Sequence, residues 1–283
     1  MPSSAREFFA TIKVEHTIFA LPFAYMTLFL VEGGWPTLEH FGWISLAMVM
    51  GRTFGMAANR LIDAKVDKSN PRTADRAMAA GRLSAAKMLG FMVAAMALFL
   101  LAVWQLDPLC RKLWPAVIAG MVFYPYTKRF TWAAHLFLGF VYFMIPTAIW
   151  IAITGELSRV SVVLGLGAGL WVAGFDIIYS CQDAEVDRVE GLHSIPAQFG
   201  LGPALIMSRV FHVVFVVLLL YAGRLLDTGM LYTAGVGVTA ITLAWEHRLV
   251  WADDLSKVNA AFFTANGIAS IVLFALVAAD TIL

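Results

Sequence analysis

Two short stretches of this 283-residue chain carry the same carboxylate spacing. Asp63 and Asp67 lie in NRLIDAKVD at 59–67, and Asp183 and Asp187 lie in YSCQDAEVD at 179–187, 120 positions later. Carboxylates at i and i+4 leave a helix on one face, where their oxygens can hold a hard cation. Mg²⁺ binds through one or two carboxylates, keeps several waters and takes further ligands from substrate phosphates. No His-rich or Cys-rich cluster in the sequence competes for a softer metal. Two such pairs facing one cavity would clamp a diphosphate through bridging Mg²⁺. Arg72, Arg76 and Lys128 fall in loops on the same side and would neutralise the rest of its charge.

The residues around each pair extend the pattern. At about 100° per residue, Arg52, Asn59 and Asp63 share a narrow stripe, with Asp67 one turn further on. Asp176, Tyr179, Asp183 and Asp187 align in the same way. Each stripe starts inside an apolar segment and runs out to its polar end. A charge at membrane depth costs about 2.5–3.5 kcal/mol on insertion scales, so such groups face a polar cavity or one another. A structural salt bridge would account for Arg52 or Asp176 singly. Matched aspartate pairs ask for a shared role.

The elements that must position these residues are set by composition. Hydrophobic residues make up 60% of the chain and charged ones 14%, with a mean hydropathy of +0.79. Soluble domains carry about 25% charged residues, so part of the solvent here is lipid. Apolar segments fall near 17–32, 43–62, 88–106, 115–130, 135–153, 160–181, 205–223, 229–246 and 260–280, giving about nine spans. The fourth is short and broken by Pro125. These runs are continuous and carry Gly and Ala throughout, which favours helices over a barrel.

The positive-inside rule then orients the chain. With the N-terminus in the cytoplasm, fifteen of the 20 Lys and Arg residues fall on that side, from Arg6 and Lys13 to Arg248 and Lys257. The other side receives Arg111, Lys112, Arg159 and Arg224, so both aspartate motifs face the cytoplasm. Residues 1–15 resemble a signal n-region, but no small-x-small site closes the apolar stretch that follows, so it reads as an uncleaved first helix. The net charge of +1 and the lack of a basic patch with interleaved aromatics set nucleic acid aside. Cys110 and Cys181 form neither a metal pattern nor a disulfide framework and read as packed free thiols.

The two motifs also form an internal echo. Each is followed by a proline, Pro71 or Pro196, and then by Gly81 or Gly200. A parallel repeat within one catalytic transmembrane domain, 1–283, is the expectation; no linker suggests a second.

These motifs resemble those of the UbiA superfamily of intramembrane prenyltransferases. NRLIDAKVDKSNPRTADRAMAAGRLS is similar to that family's Asn-x-x-x-Asp-x-x-x-Asp stretch and its Asn-Pro-Arg-Thr continuation. DIIYSCQDAEVDRVEGLHSIPAQFG resembles its second Asp-x-x-x-Asp motif with a Ser-Ile-Pro tail, and the segment Tyr124 to Lys128 its Tyr-x-x-x-Lys element. The resemblance implies nine helices around a central cavity that opens sideways to lipid. It implies metal binding by Asn59, Asp63, Asp67, Asp183 and Asp187, and contacts from Arg72, Tyr124 and Lys128 to the diphosphate. Arg52 and Tyr179, on the two stripes, join the candidate substrate-binding set. One departure is Ala77-Met78, where many members read Pro-Leu; neither side chain would be a ligand.

Within that superfamily, KVEHTIFALPFAY at 13–25, GRTFGMAANRLID at 51–63 and DLSKVNAAFFTANG at 254–267 look closest to the 4-hydroxybenzoate polyprenyltransferases and the futalosine-route menaquinone enzymes. The expected reaction is Mg²⁺-dependent transfer of a polyprenyl group from its diphosphate to a hydroxylated aromatic acid in quinone biosynthesis, with a dihydroxynaphthoate as the alternative acceptor. Glu15, His16 and Asn266 could line an acceptor pocket; helix-end hydration for the first two and a helix–helix hydrogen bond for Asn266 are the preferred readings. A secondary transporter would also show a repeat and buried charges, but would place them near the midplane in broken helices.

Overall fold

Backbone polar groups that meet lipid must be satisfied within their own segment, and a chain with repeated apolar runs answers by forming helices. The computed structural model describes Glu7, Phe8, Thr11 and residues 17–283; Arg6, Lys13, Glu15 and His16 lie outside the described residues. In chain order the helices are α1 (Thr17–Glu32), α2 (Leu38–Ser69), α3 (Ala85–Gln105), α4 (Pro108–Thr127), α5 (Ala134–Thr154), α6 (Arg159–Ser180), α7 (Ala184–Val189), α8 (Ile195–Phe199), α9 (Leu201–Leu226), α10 (Met230–Arg248) and α11 (Asn266–Ile282). A 3₁₀ turn, Cys181–Asp183, joins α6 to α7, and a π-helical turn, Ala260–Ala265, leads into α11.

Each expected apolar segment falls on one of the long helices, and no strand occurs among the described residues. Two segments differ in detail. The second extends to Ser69, which places the whole first aspartate motif on α2. The fourth is not broken at Pro125: α4 carries Pro115 and Pro125 inside it and ends at Thr127. A proline this near the C-terminus disturbs only the final turns. Among the described residues, five segments are long and apolar enough to cross a bilayer: Ala85–Gln105, Ala134–Thr154, Arg159–Val189, Leu201–Leu226 and Ala260–Ile282. On α9 an exposed stripe of Ile206, Val210, Val213, Val217 and Leu220 recurs every three or four residues. A face so apolar suits lipid and not water. The protein is an integral membrane protein.

The chain divides into two compact units. The first comprises residues 1–17 and 38–126 and holds α2, α3 and nearly all of α4. Its core joins Phe8, Ala57, Ala77, Leu83 and Met88 in one cluster and Phe54, Ala58 and Ala95 in another. Ser84 starts α3 as its N-cap, accepting the Lys87 amide at 3.4 Å.

The second unit, 18–37 and 127–283, holds the remaining helices. Its core gathers Phe23, Trp171, Phe215, Tyr232 and Leu273 from α1, α6, α9, α10 and α11. Between α5 and α6 the backbones touch. A Cβ added at Gly139 would lie 2.6 Å from the Gly169 carbonyl oxygen, and one at Gly169 would lie 2.7 Å from that of Gly139. Small residues permit this approach where lipid supplies no hydrophobic drive between helices. Cys110 and Cys181 are free thiols.

Candidate active site

The first motif is built on the last turns of α2. Asp63 and Asp67 are 3% and 5% exposed, deep burial for carboxylates. Asn59, one turn before Asp63, donates from Nδ2 to Asp63 Oδ2 at 3.3 Å. Asp67 is met by two guanidinium groups, with Arg76 Nη1 2.6 Å from its Oδ1 and Arg60 Nη1 4.0 Å from its Oδ2. Arg60 also reaches Asn59 Oδ1 at 3.5 Å, and its Nε donates to the Thr11 carbonyl at 3.4 Å. The loop after α2 is folded back on the helix end, where Thr73 donates its hydroxyl proton to the Asp67 carbonyl at 2.9 Å. That fold brings Arg76 over Asp67. Arg72 is exposed, and its amide N–H donates to Asn70 Oδ1 at 2.9 Å. Arg52 is half-buried further up α2, and Tyr124 is half-buried near the end of α4.

The second motif departs from the expected stripe. The α-helix carrying Asp176 and Tyr179 stops at Ser180, and Asp183 closes a 3₁₀ turn with φ −100° and ψ −2°. A 3₁₀ helix advances about 120° per residue, so its three residues swing Asp183 and Asp187 roughly 60° from the line through Asp176 and Tyr179. Asp176 has a different partner. The Ile195 amide donates to His135 Nε2 at 3.4 Å, which leaves Nδ1 to donate to Asp176 Oδ2 at 2.6 Å. Asp176 thus has the kind of partner that a structural salt bridge or hydrogen bond would give it.

Asp187 is held by the Ser-Ile-Pro tail. Ser194 is the N-cap of α8, accepting the Ala197 amide at 3.3 Å, and donates its hydroxyl proton to Asp187 Oδ2 at 2.7 Å. Serine suits both tasks because a hydroxyl accepts and donates. The His193 amide donates to the Lys128 carbonyl at 2.6 Å, tying this loop to the end of the Tyr-x-x-x-Lys element. Lys128 and Asp183 both act electrostatically on Asp187.

Aromatic rings flank Tyr179. Phe262 lies 4.3 Å and Phe263 6.3 Å from it between ring centroids, and Phe175 meets Phe262 edge-on at 5.2 Å. Asn266 is 1% exposed and accepts from Trp171 Nε1 at 2.7 Å while donating to Glu246 Oε1 at 2.7 Å. Its amide also reaches the carbonyls of Ala261 and Phe262, both at 3.2 Å, at the π-helical turn. The helix–helix hydrogen bond is the reading that holds for Asn266.

Each motif offers carboxylate oxygens, with the amide of Asn59 added in the first; the one thiol within them, Cys181, is buried and turned back to the Ile177 carbonyl at 3.4 Å. That donor chemistry fits a hard divalent cation such as Mg²⁺. Sequence reasoning missed three features. Arg60, which enters the sequence reading only through the charge bias of its side of the membrane, is buried at 7% exposure. His135 carried no signal beyond being a polar group in an apolar helix. The expectation of no competing imidazole cluster is corrected by His212, Glu246 and His247, whose ligand atoms all lie within 4.8 Å of one another.

The comparisons with known proteins agree with one another. The model of the UbiA prenyltransferase family matches residues 20–268. A 4-hydroxybenzoate octaprenyltransferase of Vibrio campbellii is 27% identical over 280 residues, covering 97% of this chain and 98% of its own length. The apo structure of a UbiA homolog from Aeropyrum pernix K1 superposes with a TM-score of 0.85 at 32% identity, covering 94% of this chain and 98% of that one. A UbiA homolog from Archaeoglobus fulgidus bound to DMAPP and Mg²⁺ has a TM-score of 0.72 at 16% identity, covering 97% and 99%, and shares the fold.

Proposed function

Because the chain belongs to the UbiA prenyltransferase family, we propose that it transfers a polyprenyl group from a polyprenyl diphosphate to 4-hydroxybenzoate, with Mg²⁺ as cofactor. The observation that carries this reading is the near end-to-end match to a 4-hydroxybenzoate octaprenyltransferase, joined to two aspartate pairs in the order that family uses. On this reading residues 1–283 act as one catalytic domain, an internal repeat supplies the two motifs, and the nine long helices among the described residues all cross the membrane. The excess of Lys and Arg on one side supports a cytoplasmic N-terminus and cytoplasmic aspartate motifs.

Asn59, Asp63, Asp67, Asp183 and Asp187 would hold the metal, and Arg72, Tyr124 and Lys128 would contact the diphosphate, with Arg52 and Tyr179 also facing substrate. Bound Mg²⁺ would supply charge neutralisation for the departing diphosphate, the electrostatic term that often dominates catalysis. Arg72 and Lys128 add fixed positive charge for the same purpose. The faces of Tyr179 and its neighbouring phenylalanines suit an allylic cation by cation–π attraction. The electron-rich ring of the acceptor attacks that cation, and a motif carboxylate takes the ring proton.

The test is a transfer assay in isolated membranes with one labelled polyprenyl diphosphate and a choice of 4-hydroxybenzoate or a dihydroxynaphthoate, read by product mass. Prenylated 4-hydroxybenzoate, lost on chelation and restored by Mg²⁺, is the expected product. Exclusive prenylation of the naphthoate would overturn the acceptor. Full activity in excess chelator, after bound metal is removed, would overturn the cofactor.

A further inference from the structure

Between α9 and α10, inside the second unit, lies a group of ligating side chains that the prenyl-transfer reading does not use. His212 and Glu246 are 2% and 0% exposed, and His247 is half-buried beside them at the C-terminal end of α10. His212 Nδ1 lies 3.0 Å from His247 Nε2 and 3.4 Å from Glu246 Oε2. A Zn²⁺ ion with bonds of about 2.0–2.1 Å to nitrogen and about 2.0–2.2 Å to oxygen sets tetrahedral ligand–ligand edges of roughly 3.3–3.4 Å. The His212–Glu246 separation matches that edge, the His212–His247 separation is a few tenths of an ångström shorter, and all three ligand atoms lie within 4.8 Å of one another, so a bound ion would need only a small side-chain adjustment.

The surroundings hold these atoms in a ligating state. His212 Nε2 lies 3.2 Å from the Trp171 carbonyl oxygen, which can only accept, so Nε2 carries the proton. Nδ1 is then the unprotonated nitrogen, and it faces His247 Nε2 at 3.0 Å and Glu246 Oε2 at 3.4 Å. A backbone carbonyl on the far nitrogen is the usual way a metal-ligating histidine is oriented. Glu246 is fixed in the same manner: Asn266 donates to its Oε1 at 2.7 Å, and Asn266 is itself held by Trp171 Nε1 at 2.7 Å.

The remaining carboxylate atom, Oε2, is fully buried and makes no hydrogen bond among the described residues. A buried carboxylate oxygen facing a lone pair is costly unless a cation or a proton lies between them. Space for the ring is built in as well. The His212 imidazole rests on bare backbone at Gly174, where an added Cβ would come within 2.4 Å of its Cδ2 and Nε2.

We propose that His212, Glu246 and His247 form a second metal site, for a divalent borderline transition ion of the Zn²⁺ type, chemically distinct from the oxygen-ligand site of the aspartate motifs. Two imidazoles and one carboxylate select such an ion over Mg²⁺. Three protein ligands leave a fourth tetrahedral position for water. The ion bridges α9 to the end of α10 and links both to α11 and α6 through Asn266 and Trp171.

The probe is Co²⁺, titrated into the metal-free full-length protein in detergent with excess Mg²⁺ present to occupy oxygen sites. Expected is one equivalent bound with the intense visible absorption of a tetrahedral site, displaced by Zn²⁺. It should be abolished in His247→Gln and in Glu246→Gln, and retained in the double variant Asp63→Asn/Asp183→Asn. His247→Gln changes a half-buried helix end, and its unaltered size-exclusion profile would exclude misfolding as the cause. Absence of the tetrahedral spectrum in the wild type would overturn the site and leave a protonated glutamic acid bonded to histidine. So would a spectrum unchanged in His247→Gln, or one lost in the aspartate variant.

Discussion

Arg76 Nη1 sits 2.6 Å from Asp67 Oδ1 across nine residues of chain, and Asp67's side chain is only 8% exposed. This pair puts a cation directly on a carboxylate of the first motif. The sequence offered Arg76 only as a counter-charge for the diphosphate. Its geometry makes it a positioning group for a proposed metal ligand as well.

Arg76→Ala should therefore reduce turnover by tenfold or more and weaken Mg²⁺ activation, since it leaves a buried carboxylate partly uncompensated. Arg82→Ala is the control. Arg82 bonds Asp75 at 2.8 Å, but their side chains are 43% and 97% exposed, and solvent screening leaves such exposed pairs little effect. Steady-state kinetics over a Mg²⁺ titration checks both, and equal losses in the two variants would contradict the distinction.

Lys128→Ala and Arg72→Ala should each raise the KM for polyprenyl diphosphate or lower kcat, with affinity for the aromatic acceptor nearly unchanged. Both residues are read as binding diphosphate oxygen. Varying one substrate at a time separates the two effects. A selective loss of acceptor affinity would reverse the assignment.

If both aspartate pairs serve one metal–diphosphate cluster, Asp63→Asn and Asp183→Asn should each cripple turnover, and the double variant should lose little more. Groups acting as a unit are strongly non-additive, whereas barrier changes at independent sites add. Rates measured above background in folded protein decide this. A clean sum of the two single-variant barrier changes would refute a shared cluster.

Gly169→Ala should destabilise the protein by about 1–3 kcal/mol, the range for inserting a methyl group where none fits. The added Cβ would lie 2.7 Å from the Gly139 carbonyl oxygen, and backbone cannot step aside as a flexible side chain can. Gly237→Ala, where nothing lies within 4 Å of an added Cβ, should be neutral or stabilising. Thermal unfolding in detergent compares the two, and equal midpoints would contradict the close contact.

The sequence by itself determined that the chain is helical and lives in a membrane, because both follow from local quantities: run length, apolar content and backbone self-satisfaction. It also located the aspartates of both motifs, since i and i+4 spacing is a property of one helix. It could not foresee the 3₁₀ turn at Cys181–Asp183, which moves Asp183 off the α-helical stripe. Nor could it pair His135 with Asp176 across 41 positions, Arg76 with Asp67 across nine, or His212 with His247 across 35. Such contacts depend on how each helix is rotated about its axis and how loops return to helix ends. Those angles come from the packing of many side chains at once, such as the Gly139–Gly169 contact and the seat of His212 on Gly174, and no local pattern encodes them.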